Sequence, residues 1–378
     1  MRTLLALSSI VVLALPLAAQ KPRARDLGVP FAGSPGKWNA ITDVAGVEVG
    51  YATLNSGESP AVRTGVTAIW PRGKQSSDTV FGAWFSQNGN GEMTGTTWLE
   101  ESGFLDGPVM ITNTHSVGVV RDAYIQWQVR NSRKPGTNFS PSGFFSLPVV
   151  AETYDGFLND VNGFHVKPEH VAQALDTAQP GPVAEGNVGG GTGMVCFGFK
   201  GGSGTSSRVA GGYTVAAFVQ CNCGRRPQLT IAGVPVGAEI PGDLPYAQGP
   251  NWVHDDVGSI IIVIGTDAPL LPHQLKRLAR RATMGLARTG ATSGNGSGDI
   301  FLAFSNANPG AAAQTGVHDL KMLSNDQMNP LFEATVQATE EAIVNAMTGA
   351  ETITGVDGHR VVALPHQRLK EAMKKYGR

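Results

Sequence analysis

Two kinds of apolar pattern alternate along the chain. Val47-Glu48-Val49-Gly50-Tyr51 alternates strictly, and Gly65-Val66-Thr67-Ala68-Ile69-Trp70 is rich in β-branched and aromatic residues, so both read as strands following a loop that starts at Lys21. Residues 109–112 and 117–120 are further apolar segments on either side of an Asn113-Thr114-His115 turn, and 121–129 can begin a helix. Residues 165–178 have helical spacing, with Pro168 near the start. From Gly186 to Gly212, glycine and serine dominate, which predicts turns between paired strands at 194–199 and 213–220. The same stretch lacks a Gly-Lys-Ser/Thr step into a helix, so it does not read as a phosphate cradle.

The second half carries Ile260-Ile261-Ile262-Val263-Ile264, the most apolar run after the N-terminal segment. A continuous β-branched run bounded by glycine predicts a strand buried on both faces. Thr266-Asp267 is placed to cap the next helix, which has Pro272 in its first turn, Leu275, Leu278, Ala282 and Leu286 on one side, and Gly290 at its end. Ile300-Phe301-Leu302-Ala303-Phe304 predicts a second buried strand, and a last helix spans Asn329–Thr348. Strands covered on both faces imply a layered α/β architecture with helices outside stacked sheets.

Composition narrows the function classes. The chain has 378 residues, 41% of them apolar and 16% charged, which suits a globular protein with a sizeable core. Formal net charge is −1, and no basic stripe suggests nucleic acid as a partner; Lys276-Arg277 with Arg280-Arg281 reads as a solvated helix face. Met1-Arg2, the apolar stretch from Leu4 to Leu17 and Ala18-Ala19-Gln20 have the form of a signal peptide, residues 1–20, with an uncleaved anchor as the alternative. The expectation is therefore an exported protein, periplasmic or extracellular, with no membrane association once the signal is removed. Cys196, Cys221 and Cys223 do not make a disulfide framework. Cys221-x-Cys223 could bridge or belong to a metal site, but without further ligands the three read as small buried core residues. No metal and no cofactor is expected.

The candidate chemistry centres on Gly258-Ser259, directly before the buried strand. Glycine tolerates backbone conformations that bring its carbonyl against the next hydroxyl. Attack by the Ser259 oxygen on that carbonyl would give an ester, and hydrolysis would cut the chain. The freed α-amine, with an ordinary pKa of about 7.7–8.0, would then be a base beside its own nucleophile. On spacing alone Gly-Ser before a strand reads as a turn, and His115 or His254 with Asp255 or Asp256 offers a serine–histidine–acid alternative.

Gly258-Ser259-Ile260-Ile261-Ile262-Val263 followed by Thr266-Asp267-Ala268-Pro269-Leu270-Leu271-Pro272 resembles the cleavage site of the DmpA family, the L-aminopeptidase/D-esterases and β-aminopeptidases. Further blocks agree in order: Asn39-Ala40-Ile41-Thr42-Asp43-Val44, Arg63-Thr64-Gly65-Val66-Thr67, Thr112-Asn113-Thr114-His115-Ser116-Val117-Gly118, Glu152-Thr153-Tyr154-Asp155-Gly156 and Gly224-Arg225-Arg226. The resemblance implies a four-layer α-β-β-α sandwich, one domain over 21–378, cut into 21–258 and 259–378. It implies Ser259 as nucleophile, Gly258 as the residue released at the cut, and Asn222 and Tyr154 as oxyanion donors. Ser297 and Asp299 would contact and orient the nucleophile, and Glu152 would bind the substrate ammonium. Glu152 and Tyr154, two apart, would share a strand face. The implied reaction removes the N-terminal residue from small peptides, aminoacyl amides or esters through an acyl-enzyme, in a homo-oligomer, tetrameric or octameric. Two features differ from the family: cysteines flank Asn222 in place of small or aromatic residues, and Asp299 stands where the β-aminopeptidases have Glu. The alternatives are an ornithine-type acetyltransferase, which places Thr after its cut, and a secreted non-catalytic relative that binds peptides.

Overall fold

The apolar run around Ile262 becomes an inner strand of a six-stranded sheet. The computed structural model describes residues 21–131, 145–245 and 258–378; the signal segment 1–20 and His254, Asp255 and Asp256 lie outside them. In chain order come β1 (Glu48–Ser56), β2 (Val62–Trp70), β3 (Val80–Gly89), α1 (Thr96–Ser102), β4 (Phe104–Leu105), β5 (Val109–Asn113), α2 (Val117–Asn131), β6 (Val149–Thr153) and α3 (Pro168–Asp176). A small hairpin, β7 (Val195–Cys196) and β8 (Phe199–Lys200), precedes β9 (Gly202–Ala210), β10 (Tyr213–Asn222) and α4 (Val236–Glu239). Then follow β11 (Ser259–Thr266), α5 (Pro272–Arg288), β12 (Gly298–Ser305), α6 (Asn329–Thr348), the ribbon β13 (Ile353–Thr354) and β14 (Arg360–Val361), and α7 (His366–Lys375).

One sheet has the order β1-β2-β5-β6 and the other β4-β3-β12-β11-β10-β9. Ile261 and Val263 point between the sheets, meeting Ile69, Val109, Ile111 and Val149. Ile260, Ile262 and Ile264 point outward to Leu275, Leu278, Ala282 and Leu286 of α5 and to Leu331, Ala338 and Ala342 of α6. The opposite outer layer is α2 and α3, whose Val120, Ala123, Val171 and Leu175 cover Val66, Ala68, Met110 and Val150. The result is the expected α-β-β-α sandwich, and the continuous apolar run is explained by cover on both faces.

Several local expectations differ. Residues 117–120 form the first turn of α2 instead of an extended segment. The glycine–serine stretch contains the full strand β9, which lacks an apolar signal because α6 packs very closely on it. A Cβ at Gly204 would lie 2.1 Å from the Ala342 carbonyl oxygen, so bulk is excluded where apolar residues would otherwise mark a strand. Thr266 and Asp267 do not cap α5: its N-cap is Leu271, and Asp267 Oδ1 accepts from the Thr214 N–H at 2.7 Å. The cysteines are buried as expected, but Cys196 and Cys221 are joined as a disulfide between β7 and β10. Their separation of 25 residues hid the pairing, which depends on the β7–β8 hairpin folding back onto the end of β10.

Candidate active site

Ser259 is the first residue of β11 and is 5% exposed. The antiparallel register sets it opposite Asn222 at the end of β10, and the parallel register sets it beside Gly298 at the start of β12. The Gly298 N–H lies 3.2 Å from Ser259 Oγ and 3.3 Å from the Gly258 carbonyl oxygen, so one donor addresses both partners of the candidate cut. Glycine at 258 has a steric reason: a Cβ there would sit 2.3 Å from the Asn222 carbonyl oxygen and 2.5 Å from Cys223 Cα.

Asn222 is held at both ends of its amide. Its Oδ1 accepts from the Val195 N–H at 2.7 Å, which fixes the opposite edge, and Nδ2 donates to the Tyr154 carbonyl at 3.0 Å. The second Nδ2 hydrogen remains for a ligand. Tyr154 lies one residue beyond β6 and is 42% exposed, whereas Glu152 is inside the strand and buried. The two therefore do not share a strand face; the chain leaves the sheet between them. The Tyr154 ring lies over Gly156, where a Cβ would come within 2.3 Å of the hydroxyl. Partial burial, then the charge of Asp155, pushes the phenol up, keeping it a protonated donor.

Glu152 accepts from the Glu92 N–H at 3.0 Å and from the Thr114 hydroxyl. Burial raises its carboxyl above the ordinary 4.5, against the lowering effect of these two bonds and of nearby His115. Gly91 connects it to the nucleophile: a Cβ there would lie 3.1 Å from Gly298 Cα and 3.2 Å from Glu152 Oε1. Ser297 and Asp299 are both buried, and the Ser297 hydroxyl donates to Asp299 Oδ1. The Ser297 carbonyl accepts from Asn88 Nδ2 at 2.6 Å and from the Asn90 N–H at 3.1 Å, which pins the loop leading into Gly298. Thus Ser259, Gly258, Asn222 and Gly298 meet directly, with Ser297, Asp299, Tyr154 and Glu152 around them. His115 stacks on Phe164 at 6.1 Å.

The sequence reading missed the contributions of main-chain groups. The N–H groups of Gly298, Val195 and Glu92 have no residue-type signature, since any non-proline residue supplies the same donor. Thr114 was inside a recognised block, but its side chain became informative through the register that places Thr112 beside Glu152. Among the described residues, the group able to hold a metal is Cys196, Cys221 and Cys223. Two of these are bonded to each other, so they do not offer three thiolates.

Residues 39–361 match the model of peptidase family S58. The chain belongs to that family. Two relatives within it are β-peptidyl aminopeptidases, both named BapA. The one from Sphingosinicella microcystinivorans is 56% identical over 97% of this chain and 96% of its own length. The one from Sphingosinicella xenopeptidilytica is 47% identical over 97% and 94%. A solved L-aminopeptidase D-Ala-esterase/amidase from Ochrobactrum anthropi, described as a prototype serine aminopeptidase and a variant of the Ntn hydrolase fold, superposes with a TM-score of 0.88. It shares 48% identity, over 95% of this chain and 99% of that one. A Burkholderia sp. β-aminopeptidase superposes with a TM-score of 0.86 at 46% identity, over 94% and 99%. This S58 chain is accordingly a serine aminopeptidase with the Ntn-hydrolase fold.

Proposed function

We propose that Ser259 is both the site of self-cleavage and the nucleophile of the aminopeptidase. The observation that carries this is the position of its hydroxyl at the first residue of an inner strand, with the Gly298 N–H at 3.2 Å and Asn222 in register opposite. In the uncut chain, Ser259 Oγ adds to the Gly258 carbonyl carbon and the Ser259 nitrogen leaves as the amine. Water then hydrolyses the ester, releasing Gly258 as a carboxylate. In the mature enzyme the neutral α-amine of Ser259 takes the hydroxyl proton as Oγ attacks the substrate carbonyl. Asn222 Nδ2 and the Tyr154 hydroxyl donate to the oxyanion. The leaving amine or alcohol takes the proton, an acyl-enzyme forms on Oγ, and water releases the amino acid. Ser297 and Asp299 fix the loop that carries Gly298. Glu152 receives the substrate ammonium.

Substrates are then small peptides, aminoacyl amides or esters with a free N-terminal amine. Two relatives are β-peptidyl aminopeptidases, so N-terminal β-residues belong among them despite the shorter acid at 299. Export is supported by the signal grammar of residues 1–20. Among the described residues, no helix is long and apolar enough to cross a membrane. Assembly as a homo-oligomer, a tetramer or octamer by the resemblance, is supported by the exposed apolar side chains of Val317, Leu320 and Met322. The test is intact mass and N-terminal sequencing of the protein expressed without residues 1–20, beside Ser259→Ala. A fragment beginning Ser-Ile-Ile-Ile, absent in the variant, is expected. A single uncut chain that still hydrolyses aminoacyl amides would overturn the assignment.

A further inference from the structure

We infer that the Cys196–Cys221 disulfide is a positioning device for the oxyanion donor, an inference that rests on Asn222 having that role. The far side of the amide hangs on one small hairpin. Asn222 Oδ1 is anchored by the Val195 N–H, and Val195 belongs to β7, a two-residue strand outside both large sheets. Among the described strands β7 pairs only with β8, also two residues long, through a turn in which Phe197 and Gly198 have φ of 51° and 69°. So short a hairpin has little stability of its own. Its orientation must come from tethers to the rest of the molecule.

Arg226 holds the turn, donating to the Phe197 and Gly198 carbonyls at 2.9 and 2.5 Å, and the tethers nearest Asn222 run to the end of β10. The Phe197 N–H donates to the Cys223 carbonyl at 2.7 Å. The disulfide joins the residue after Val195 to the residue before Asn222, with Cα atoms 5.8 Å apart. The covalent link and the anchoring hydrogen bond thus bracket the same pair of backbones, one residue apart on each. Lys200 secures the opposite side of the hairpin, its Nζ donating to the Met194 and Gly201 carbonyls at 2.8 Å each. The bond is inaccessible, since Cys196 and Cys221 are fully buried. Cys223 Sγ lies 3.9 Å from Cys221 Sγ. Turning the amide by half a revolution about its last bond would exchange Oδ1 for Nδ2 and remove the donor from the reacting carbonyl. The Val195 N–H opposes that flip because it needs an acceptor. The disulfide keeps that N–H in place.

The test is a double-mutant cycle on kcat, normalised to chains that start at Ser259. Asn222→Ala should lower kcat by about 10²–10³, the usual cost of one oxyanion donor. Cys196→Ala should lower kcat at least tenfold with KM changed by less than about threefold, and should have no further effect in the Asn222→Ala background. A disulfide that merely stabilises the fold would lower the melting temperature and leave kcat untouched well below it. Wild-type kcat in Cys196→Ala, or an undiminished effect in the double variant, overturns the inference while leaving Asn222 as donor. Wild-type kcat in Asn222→Ala overturns the donor assignment and this inference with it. If Cys196→Ala fails to fold, wild-type enzyme unfolded in reductant, refolded and assayed before and after reoxidation gives the same reading. Recovery of kcat with formation of a Cys196–Cys221 peptide by mass supports it; full kcat in the reduced form overturns it.

Discussion

Removing the charge of Glu152 isolates recognition of the substrate amine from the chemistry at Ser259. Glu152→Gln keeps the shape and the bond from the Glu92 N–H to Oε1, while the Thr114 contact is kept by reversal, the new Nε2 donating to the threonine hydroxyl oxygen. On the proposed role, what it loses is a buried carboxylate facing the substrate ammonium. Truncating one partner of such a charge pair costs about 2–5 kcal/mol, roughly 30-fold to several thousandfold in kcat/KM. The ammonium is bound alike in the ground and transition states, so the loss should fall mainly on KM. Burial already holds the free-enzyme carboxyl above 4.5. As pH falls through that raised value the carboxylate is protonated, and kcat/KM falls with it. Bound ammonium favours the charged form, so the corresponding limb of kcat should lie at lower pH. A second protonation, that of the Ser259 amine, also depresses activity on the acid side, and that limb should survive in Glu152→Gln while the lower one disappears. The assay is the pH profile of kcat and kcat/KM with an aminoacyl anilide, and with its N-acetyl counterpart. A variant within threefold of wild type in kcat/KM, or equal cleavage of the acetylated compound, would refute the reasoning.

Three further outcomes follow from packing and burial. Gly258→Ala places a methyl 2.3 Å from the Asn222 carbonyl oxygen, so uncut chain should accumulate on a denaturing gel; processing at the wild-type rate would show that the contact yields freely. Glu341 is fully buried and accepts from Arg208 at 2.6 Å and Arg25 at 2.8 Å. Glu341→Gln leaves Arg208 uncompensated, and urea unfolding should show a loss of about 3–5 kcal/mol, against under 1 kcal/mol if water reaches the site. Burial raises Asp155 from 3.8 to about 6, despite Thr64, Asn159 and Asn113 beside it. The native state therefore holds this proton more tightly than the unfolded one. Its contribution becomes less favourable as pH rises from about 4 to 6, by about 3 kcal/mol; Asp155→Asn should lack that part of the slope in denaturant titrations.

How far the sequence reaches depends on what each residue is used for. Ile260 to Ile264 could be read as a doubly covered strand because each methyl-rich side chain meets a wall, whichever face it takes. α6 matched its expected bounds, with Gly349 as its stop, although residues 334–348 are buried all round and not on one face. β9 was not legible for the reverse reason: its glycines and serines are selected by how closely α6 approaches, which is a property of the partner. The site shows the same division. Ser259, Asn222 and Glu152 carry distinctive side chains in recognisable blocks. The Gly298 and Val195 N–H groups acquire their roles through register, and the cysteine pairing through a hairpin too short to predict. Parity could not place Tyr154, because it assumes a strand that continues, and β6 stops at Thr153.

The position of Ser259 also bears on what holds the enzyme together after a cut. The segment 259–378 supplies β11 and β12, side by side, while β4 and β3 on one flank and β10 and β9 on the other come from 21–258. Separating the pieces would break two ladders at once, β10 with β11 along the whole of β11 and β12 with β3. It would also expose Ile261 and Val263, which meet Ile69, Val109, Ile111 and Val149 of the other piece, and strip α6 from β9. Each such buried side chain alone is worth about 1.5–3 kcal/mol. The new amine therefore cannot drift away: its strand is paired on both sides from the first residue, opposite Asn222 and Gly298. On the proposed mechanism, cleavage changes one bond and frees one base, and the sheet keeps that base in register with its nucleophile. Native mass spectrometry should accordingly find both pieces in one particle when a denaturing gel shows two bands. Release of either piece without denaturant would mean that the strands are not shared as the topology places them, and an N-terminal base held by its own sheet would no longer be tenable.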